Sequence, residues 1–352
     1  MHPAILYRKL KNKAVQCGVC QRRCKIDEGQ IGFCKTRVNQ GGKLYTTIYD
    51  VVSSCNNDPI EKKPVFHYQP RSLCLSLGTF GCNFRCKFCQ NWDISYADAS
   101  KEKIINGQQK ISPKQAVKMA FKLGSKGIAW TYNEPAIWLE YSLDCAKLAK
   151  SSPASRFHFP ASILYTCWVT NGYATKEVID LIAPYLDIYR VDLKSFEDKF
   201  YQKLIAVPKA AGVFEVTKYI HDKYPKIHLE CVTNIIPGWN DDKKTLKEIA
   251  VWILKNLGPK IPWHVTRFYP AAQMMDVPPT PAGTLIEARK LGFKAGLEFV
   301  YIGNLATETG ENTYCPKCKT LNIRRSFYQT EILAVDRKGC CSKCGEDLNL
   351  KF

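Results

Sequence analysis

Residues 72–90 read Ser72-Leu-Cys-Leu-Ser-Leu-Gly-Thr-Phe-Gly-Cys-Asn-Phe-Arg-Cys-Lys-Phe-Cys-Gln90, and both fold and chemistry turn on this stretch. Its apolar first part predicts a β-strand that runs into a glycine-bearing loop. The loop carries Cys82, Cys86 and Cys89 in the spacing C-x3-C-x2-C, with Phe88 directly before the third cysteine. Cysteine thiolates are the usual ligands of iron–sulfur clusters, which normally take four. Three at close range therefore predict a [4Fe-4S] cubane with one iron open to a small molecule. The alternative is a zinc knuckle with a distant fourth ligand.

Seventeen cysteines in 352 residues argue for metal sites if the compartment is reducing. No run approaches the roughly 18 apolar residues of a membrane span. Charges interrupt the first residues, Met1-His-Pro-Ala-Ile-Leu-Tyr-Arg-Lys-Leu, so no signal-peptide pattern forms and a cytoplasmic protein is expected. Besides the central trio, Cys17, Cys20, Cys24 and Cys34 form an N-terminal set, and Cys315, Cys318, Cys341 and Cys344 a C-terminal one. The formal charge of +19 invites nucleic acid or another acidic surface. Thiolate-bound metals would lower it to about +14. A role in solubility without a polyanion partner explains the excess equally well.

Three segments follow: a cysteine-bearing segment over 1–70, a βα-repeat segment over 71–310, and a zinc-ribbon-like segment over 311–352. The first ends in Asn56-Asn-Asp-Pro-Ile-Glu-Lys-Lys-Pro64, read as a linker or extended arm. In the second, strand candidates at 73–77, 127–131, 163–170, 186–193, 227–234, 263–268 and 298–302 alternate with amphipathic stretches. Ser112-Pro, Asn240-Asp-Asp and Thr280-Pro each open a helix. This is the pattern of a parallel sheet in a barrel, complete or incomplete. In the third, Cys315-Pro-Lys-Cys318 and Cys341-Ser-Lys-Cys344 stand 22 residues apart, the pattern of a structural zinc ribbon, with Cys340 as a competitor for one ligand place. The N-terminal quartet can bind zinc, towards which the reading leans, or a second iron–sulfur cluster.

In such a barrel, functional residues collect at the C-terminal ends of the strands. Thr131-Tyr-Asn-Glu-Pro, Thr170-Asn-Gly-Tyr, Asp192-Leu-Lys-Ser-Phe and His264-Val-Thr-Arg-Phe-Tyr-Pro all fall there. Each puts polar or ionisable groups where a packed core wants none. Helix capping is the competing role for Glu134 and Asp192. His264 and Arg267, at i and i+3 on one strand, point to opposite faces unless a bulge intervenes, and His264 is favoured for the pocket.

These segments, with residues 81–92, Ile236-Pro-Gly-Trp-Asn-Asp and Trp263-His-Val-Thr-Arg-Phe, resemble the radical SAM superfamily, in the branch related to pyruvate formate-lyase activating enzymes. Asp58-Pro-Ile-Glu-Lys-Lys-Pro, Gly310-Glu-Asn-Thr-Tyr-Cys-Pro and the N-terminal cysteines bring the chain nearest to the radical SAM member of the AmmeMemoRadiSam system.

The resemblance implies an α/β fold, a partial (β/α)6-type TIM barrel with a Cys-rich N-terminus and a C-terminal zinc ribbon. It implies one [4Fe-4S] cluster on Cys82, Cys86 and Cys89, and S-adenosylmethionine cleaved reductively to methionine and a 5′-deoxyadenosyl radical. Residues 132–135 stand where the family has a Gly-Gly-Glu-Pro loop for the methionyl amino group, here without either glycine. Tyr132, Asn133, Glu134, Asn171, Asp192, Lys194 and His264 are the expected cofactor-binding residues. Glu134 suits the ammonium, Lys194 the carboxylate, and Asn171 and Asp192 the ribose or the amino-acid end. A flavodoxin- or ferredoxin-like donor, and Memo-family and Ammecr-type proteins, are the implied partners. The rival reading is a basic, zinc-stabilised RNA-binding protein with a relict barrel.

Overall fold

The computed structural model describes residues 1–151 and 163–352. Eight strands form one sheet in simple sequence order: β1 (Ser54–Pro59), β2 (Leu73–Gly78), β3 (Gly127–Trp130), β4 (Tyr165–Thr170), β5 (Ile188–Asp192), β6 (His228–Ile235), β7 (Trp263–Arg267) and β8 (Val300–Gly303). Strands β2 to β8 are mutually parallel, and β1 runs antiparallel beside β2. The alternation comes from α1 (Pro113–Lys122), α2 (Leu139–Ser151), α3 (Lys176–Ile182), α4 (Ala211–Lys223), α5 (Lys243–Leu257) and α6 (Ala282–Ala295). Six strand–helix units thus run from β2 to α6, and β8 adds a seventh parallel strand. β1 and β8 are the two edges and do not pair with each other.

Local chemistry accounts for these elements. Gly-Ile-Ala-Trp in β3 is buried throughout, as a parallel strand covered on both faces requires. Ser112 caps α1 in a reciprocal capping box with Gln115, and Pro113 opens the helix. Asp242 caps α5 by accepting the Thr245 amide at 2.9 Å. Thr280 does not cap α6. Its hydroxyl donates to the Ile235 carbonyl at 2.6 Å and accepts the Phe268 amide at 2.9 Å, tying the ends of β6 and β7, while Pro281 precedes the first helical turn.

The cysteine-bearing ends are packed against this sheet. The stretch read as a linker or extended arm supplies β1 and then a strap over Phe66 and His67. His67 bonds the Leu348 carbonyl at 2.9 Å and the Tyr301 hydroxyl at 2.6 Å. Phe66, Phe299, Tyr301, Ile323, Leu348 and Leu350 form one core with Cys315 and Cys341. The C-terminal segment folds as β9 (Thr313–Tyr314), β10 (Leu321–Ser326) and β11 (Gln329–Ile332), an antiparallel sheet. At the other end, the buried Arg37 guanidinium grips Glu140 of α2 through two hydrogen bonds of 2.9 and 2.8 Å. Among the described residues, no helix is long and apolar enough to cross a membrane.

Removing one partner of a buried ion pair strands the other charge and costs about 3–5 kcal/mol. Glu140→Ala should destabilise the chain by about that much in denaturant unfolding. A loss below about 1 kcal/mol would show that the N-terminal segment does not depend on this contact.

Candidate active site

The C-terminal ends of the parallel strands converge on a cavity of about 1010 Å³. Cys82, Cys86 and Cys89, on the loop after β2, all line it. The loop needs an unusual backbone at Gly81, where φ is +81°. A Cβ there would sit 2.4 Å from the Cys34 carbonyl oxygen, so glycine is required for two reasons. Amide side chains fix the rest. Asn133 donates to the Gly81 carbonyl at 2.8 Å, and Asn171 donates to the Asn83 side-chain oxygen at 2.7 Å. Burial pushes the Cys86 thiol up to about 12 and raises Cys82 and Cys89 as well. Such thiols ionise when a metal takes the proton's place, which suits a ligand set.

The remaining candidates face the same cavity with different degrees of freedom. Glu134 is fully committed to the protein: it accepts the Ala136 amide at 3.0 Å, the Thr170 hydroxyl at 2.8 Å and the Asn171 amide at 2.8 Å. The capping role weighed for it is real, since the Ala136 bond closes the turn at Pro135–Trp138. Burial, opposed by these hydrogen bonds and helped by the Asp192 charge, lifts its carboxyl to about 7. Asp192 does not cap; Lys194 donates to it at 2.8 Å and Arg190 grips its other oxygen. Burial alone would raise the Asp192 carboxyl, but the Arg190 and Lys194 charges outweigh it and hold it down.

Arg190 was not among the sequence candidates, although the signal was present. Residues 190, 192 and 194 alternate along β5 and its end, so their side chains share one face. Tyr132 takes a φ of +71°, the left-handed conformation that a glycine would adopt freely. Its hydroxyl donates to Asp58 at 2.9 Å and accepts from Asn56 at 3.0 Å, which offsets the strain. His264 bonds Glu230 at 2.6 Å through Nε2, while its buried Nδ1 has no partner. Arg267, at the very end of β7, also reaches the cavity and donates to the Thr280 carbonyl at 2.9 Å.

The two outer cysteine sets lie away from this cavity. Cys315, Cys318, Cys341 and Cys344 bring their sulfurs within 4.8 Å of one another, and Cys340 stands outside the group. Cys17, Cys20, Cys24 and Cys34 line a separate small cavity behind the central loop.

A family model described as "Radical SAM superfamily" matches residues 77–252. The chain is 36% identical over 351 residues to "Uncharacterized protein MJ0808" of Methanocaldococcus jannaschii, covering 99% of each. It is 26% identical over 164 residues to the pyruvate formate-lyase 1-activating enzyme of Escherichia coli K12, covering 46% of this chain and 61% of that enzyme. The crystal structure of a radical SAM methyltransferase from Sphaerobacter thermophilus superposes with a TM-score of 0.48 and 14% identity, over 65% of this chain and 66% of that one.

Two outcomes follow from the geometry. Gly81→Ala should lower stability by more than about 1 kcal/mol; wild-type melting would refute the argument. For Glu134, the folded chain holds the proton more tightly than the unfolded chain does. Its contribution to stability is therefore full below pH 4.5 and declines as the pH rises towards about 7. Glu134→Gln should flatten that part of the melting-temperature profile, and an unchanged slope would contradict the assignment.

Proposed function

We propose, from the premise that this chain belongs to the radical SAM superfamily, that it cleaves S-adenosylmethionine reductively at a [4Fe-4S] cluster held by Cys82, Cys86 and Cys89. When bound, that pair supplies a one-electron cleavage to methionine and a 5′-deoxyadenosyl radical able to abstract hydrogen. The observation that carries the reading is one cavity lined by all three thiols together with a row of paired charges at the end of β5. Its volume lies at the upper end for a small-molecule pocket, so a nucleoside-sized ligand leaves room for part of a second reactant.

The chain's own groups divide the work. Lys194, whose ammonium lies near Cys86, is the cation for the methionyl carboxylate. Glu134 and the backbone of residues 132–134 form the wall for the ammonium. Because both Glu134 oxygens already accept hydrogen bonds, its part is that of a fixed acceptor rather than a mobile ligand. Asn171 holds the cysteine loop through Asn83 and presents its own edge to the cavity. His264, fixed by Glu230, keeps its second nitrogen for a reactant.

The similarity to an activating enzyme supports two versions of the reaction. One makes a glycyl radical on a partner enzyme; the other modifies a substrate directly. A flavodoxin- or ferredoxin-like protein supplies the electron, and Memo-family and Ammecr-type proteins are the proposed partners of the AmmeMemoRadiSam type. We assign Zn2+ to the C-terminal quartet as a structural ion. The RNA-binding alternative gains nothing from the comparisons.

Anaerobic incubation with dithionite and S-adenosylmethionine should yield 5′-deoxyadenosine, and Cys86→Ala should abolish it. Asp192→Asn should leave the cluster in place but weaken S-adenosylmethionine binding about 10- to 100-fold, the effect of losing a charge-assisted contact of roughly 1.5–3 kcal/mol. Deoxyadenosine formation by Cys86→Ala, or its absence from the fully loaded wild type, would defeat the reading.

A further inference from the structure

The spacing of Cys17, Cys20, Cys24 and Cys34 admits either zinc or iron–sulfur, whereas the geometry discriminates. Four thiolates around one tetrahedral zinc ion stand about 2.3 Å from it, and so about 3.8 Å from one another. The C-terminal quartet has that spacing: Cys315 and Cys344 sulfurs are 3.5 Å apart, and those of Cys318 and Cys341 3.7 Å. Among the described residues it is the one set of three or more such ligands all within 4.8 Å. The N-terminal thiols line a single cavity together but do not all come within 4.8 Å of one another. An iron–sulfur cluster interposes several irons and bridging sulfides between its cysteines, and so holds them farther apart than one ion does. The central trio likewise does not bring all its sulfurs within 4.8 Å of one another, a comparison that rests on the function proposed above.

The surroundings of the cavity agree. Val19, Ile26 and Ile137 give it an apolar wall, and Arg22 and Arg37 place cations beside it. A cluster carrying four thiolates is net negative and is stabilised by such charges and by N–H donors to sulfur. The Arg37 Nε is buried and without a partner, although the same guanidinium binds Glu140 through its other nitrogens. The cavity is also built against the catalytic loop. Asn83, the residue after Cys82, lines it, Arg22 donates to the Asn83 carbonyl at 2.6 Å, and Gly81 presses on the Cys34 carbonyl.

We propose that Cys17, Cys20, Cys24 and Cys34 hold a second iron–sulfur cluster rather than a zinc ion. It stands directly behind the loop that carries Cys82. The site is a property of the N-terminal segment and does not need the central cysteines to load.

The test is full-length protein isolated and reconstituted anaerobically, with iron, sulfide and zinc counted per chain and 57Fe Mössbauer spectra recorded. The wild type should hold more than four irons with matching sulfide and one zinc. The triple variant Cys82→Ala, Cys86→Ala, Cys89→Ala should keep about two to four irons as a cluster whose spectrum ignores added S-adenosylmethionine. Adding Cys20→Ser and Cys34→Ser should remove it. Should the variants fail to fold, the wild-type counts decide alone: four irons or fewer, with two zinc ions, overturn the proposal. An iron-free triple variant with two zinc ions overturns it while leaving the central assignment intact. A wild type that holds the second cluster but no S-adenosylmethionine-responsive iron at Cys82, Cys86 and Cys89 overturns only the proposed function.

Discussion

A loop that presents three thiols to one cavity has no regular hydrogen bonding of its own, so its backbone must be pinned from outside. Residues 79–89 are pinned on every side. The Arg85 and Lys87 amides donate to the Ile205 and Leu204 carbonyls at 3.0 and 2.8 Å, and the Gly81 amide to the Ile94 carbonyl at 2.9 Å. Asn133 from the end of β3 and Asn171 from the end of β4 complete the frame. These partners come from distant parts of the chain, so the loop acquires its shape only when the sheet has assembled. Gly81 is where the constraint is tightest, because the N-terminal segment touches the loop there backbone to backbone.

Burial sets the second constraint. A charge removed from water must be paired or hydrogen-bonded, or it will neutralise. Glu230, in the interior of β6, accepts the Phe66 and His67 amides at 2.9 and 2.8 Å and the rings of His228 and His264 at 2.9 and 2.6 Å. One carboxylate thus joins the strap, β6 and β7. Arg325 of the C-terminal sheet donates to the Phe66 carbonyl at 2.8 Å and lies over the Phe66 ring. The floor of the cavity and the docking of the C-terminal sheet therefore depend on the same few residues. Arg190, Asp192 and Lys194 apply the same rule at the other end of the strands, where each charge satisfies its neighbour.

The parallel strands were legible because each is a run of buried apolar residues closed by a polar turn. The windows 127–131 and 263–268 differ from β3 and β7 by a single terminal residue. β1 was not, since Ser54-Cys-Asn-Asn-Asp-Pro59 is polar and ends in proline; it can be a strand because it lies at the sheet edge. Thr280 before Pro281 was a sound helix-start signal, overruled because a hydroxyl between two strand ends found better partners there. Arg190 was visible by alternation but reads as an ordinary strand residue until Asp192 and Lys194 are seen beside it.

The sequence by itself determined the family and the run of alternating strands and helices, because cysteine spacing and apolar periodicity are local quantities. Tertiary structure decided what each polar residue is free to do. Glu134 is bound by three protein donors, Asn133 and Asn171 brace the loop, and His264 has one nitrogen engaged and one free. It also decided how far apart four sulfurs stand, which spacing along a chain does not fix. The reason is physical: most of these partners lie tens of positions apart in the chain and come together only when the sheet is complete.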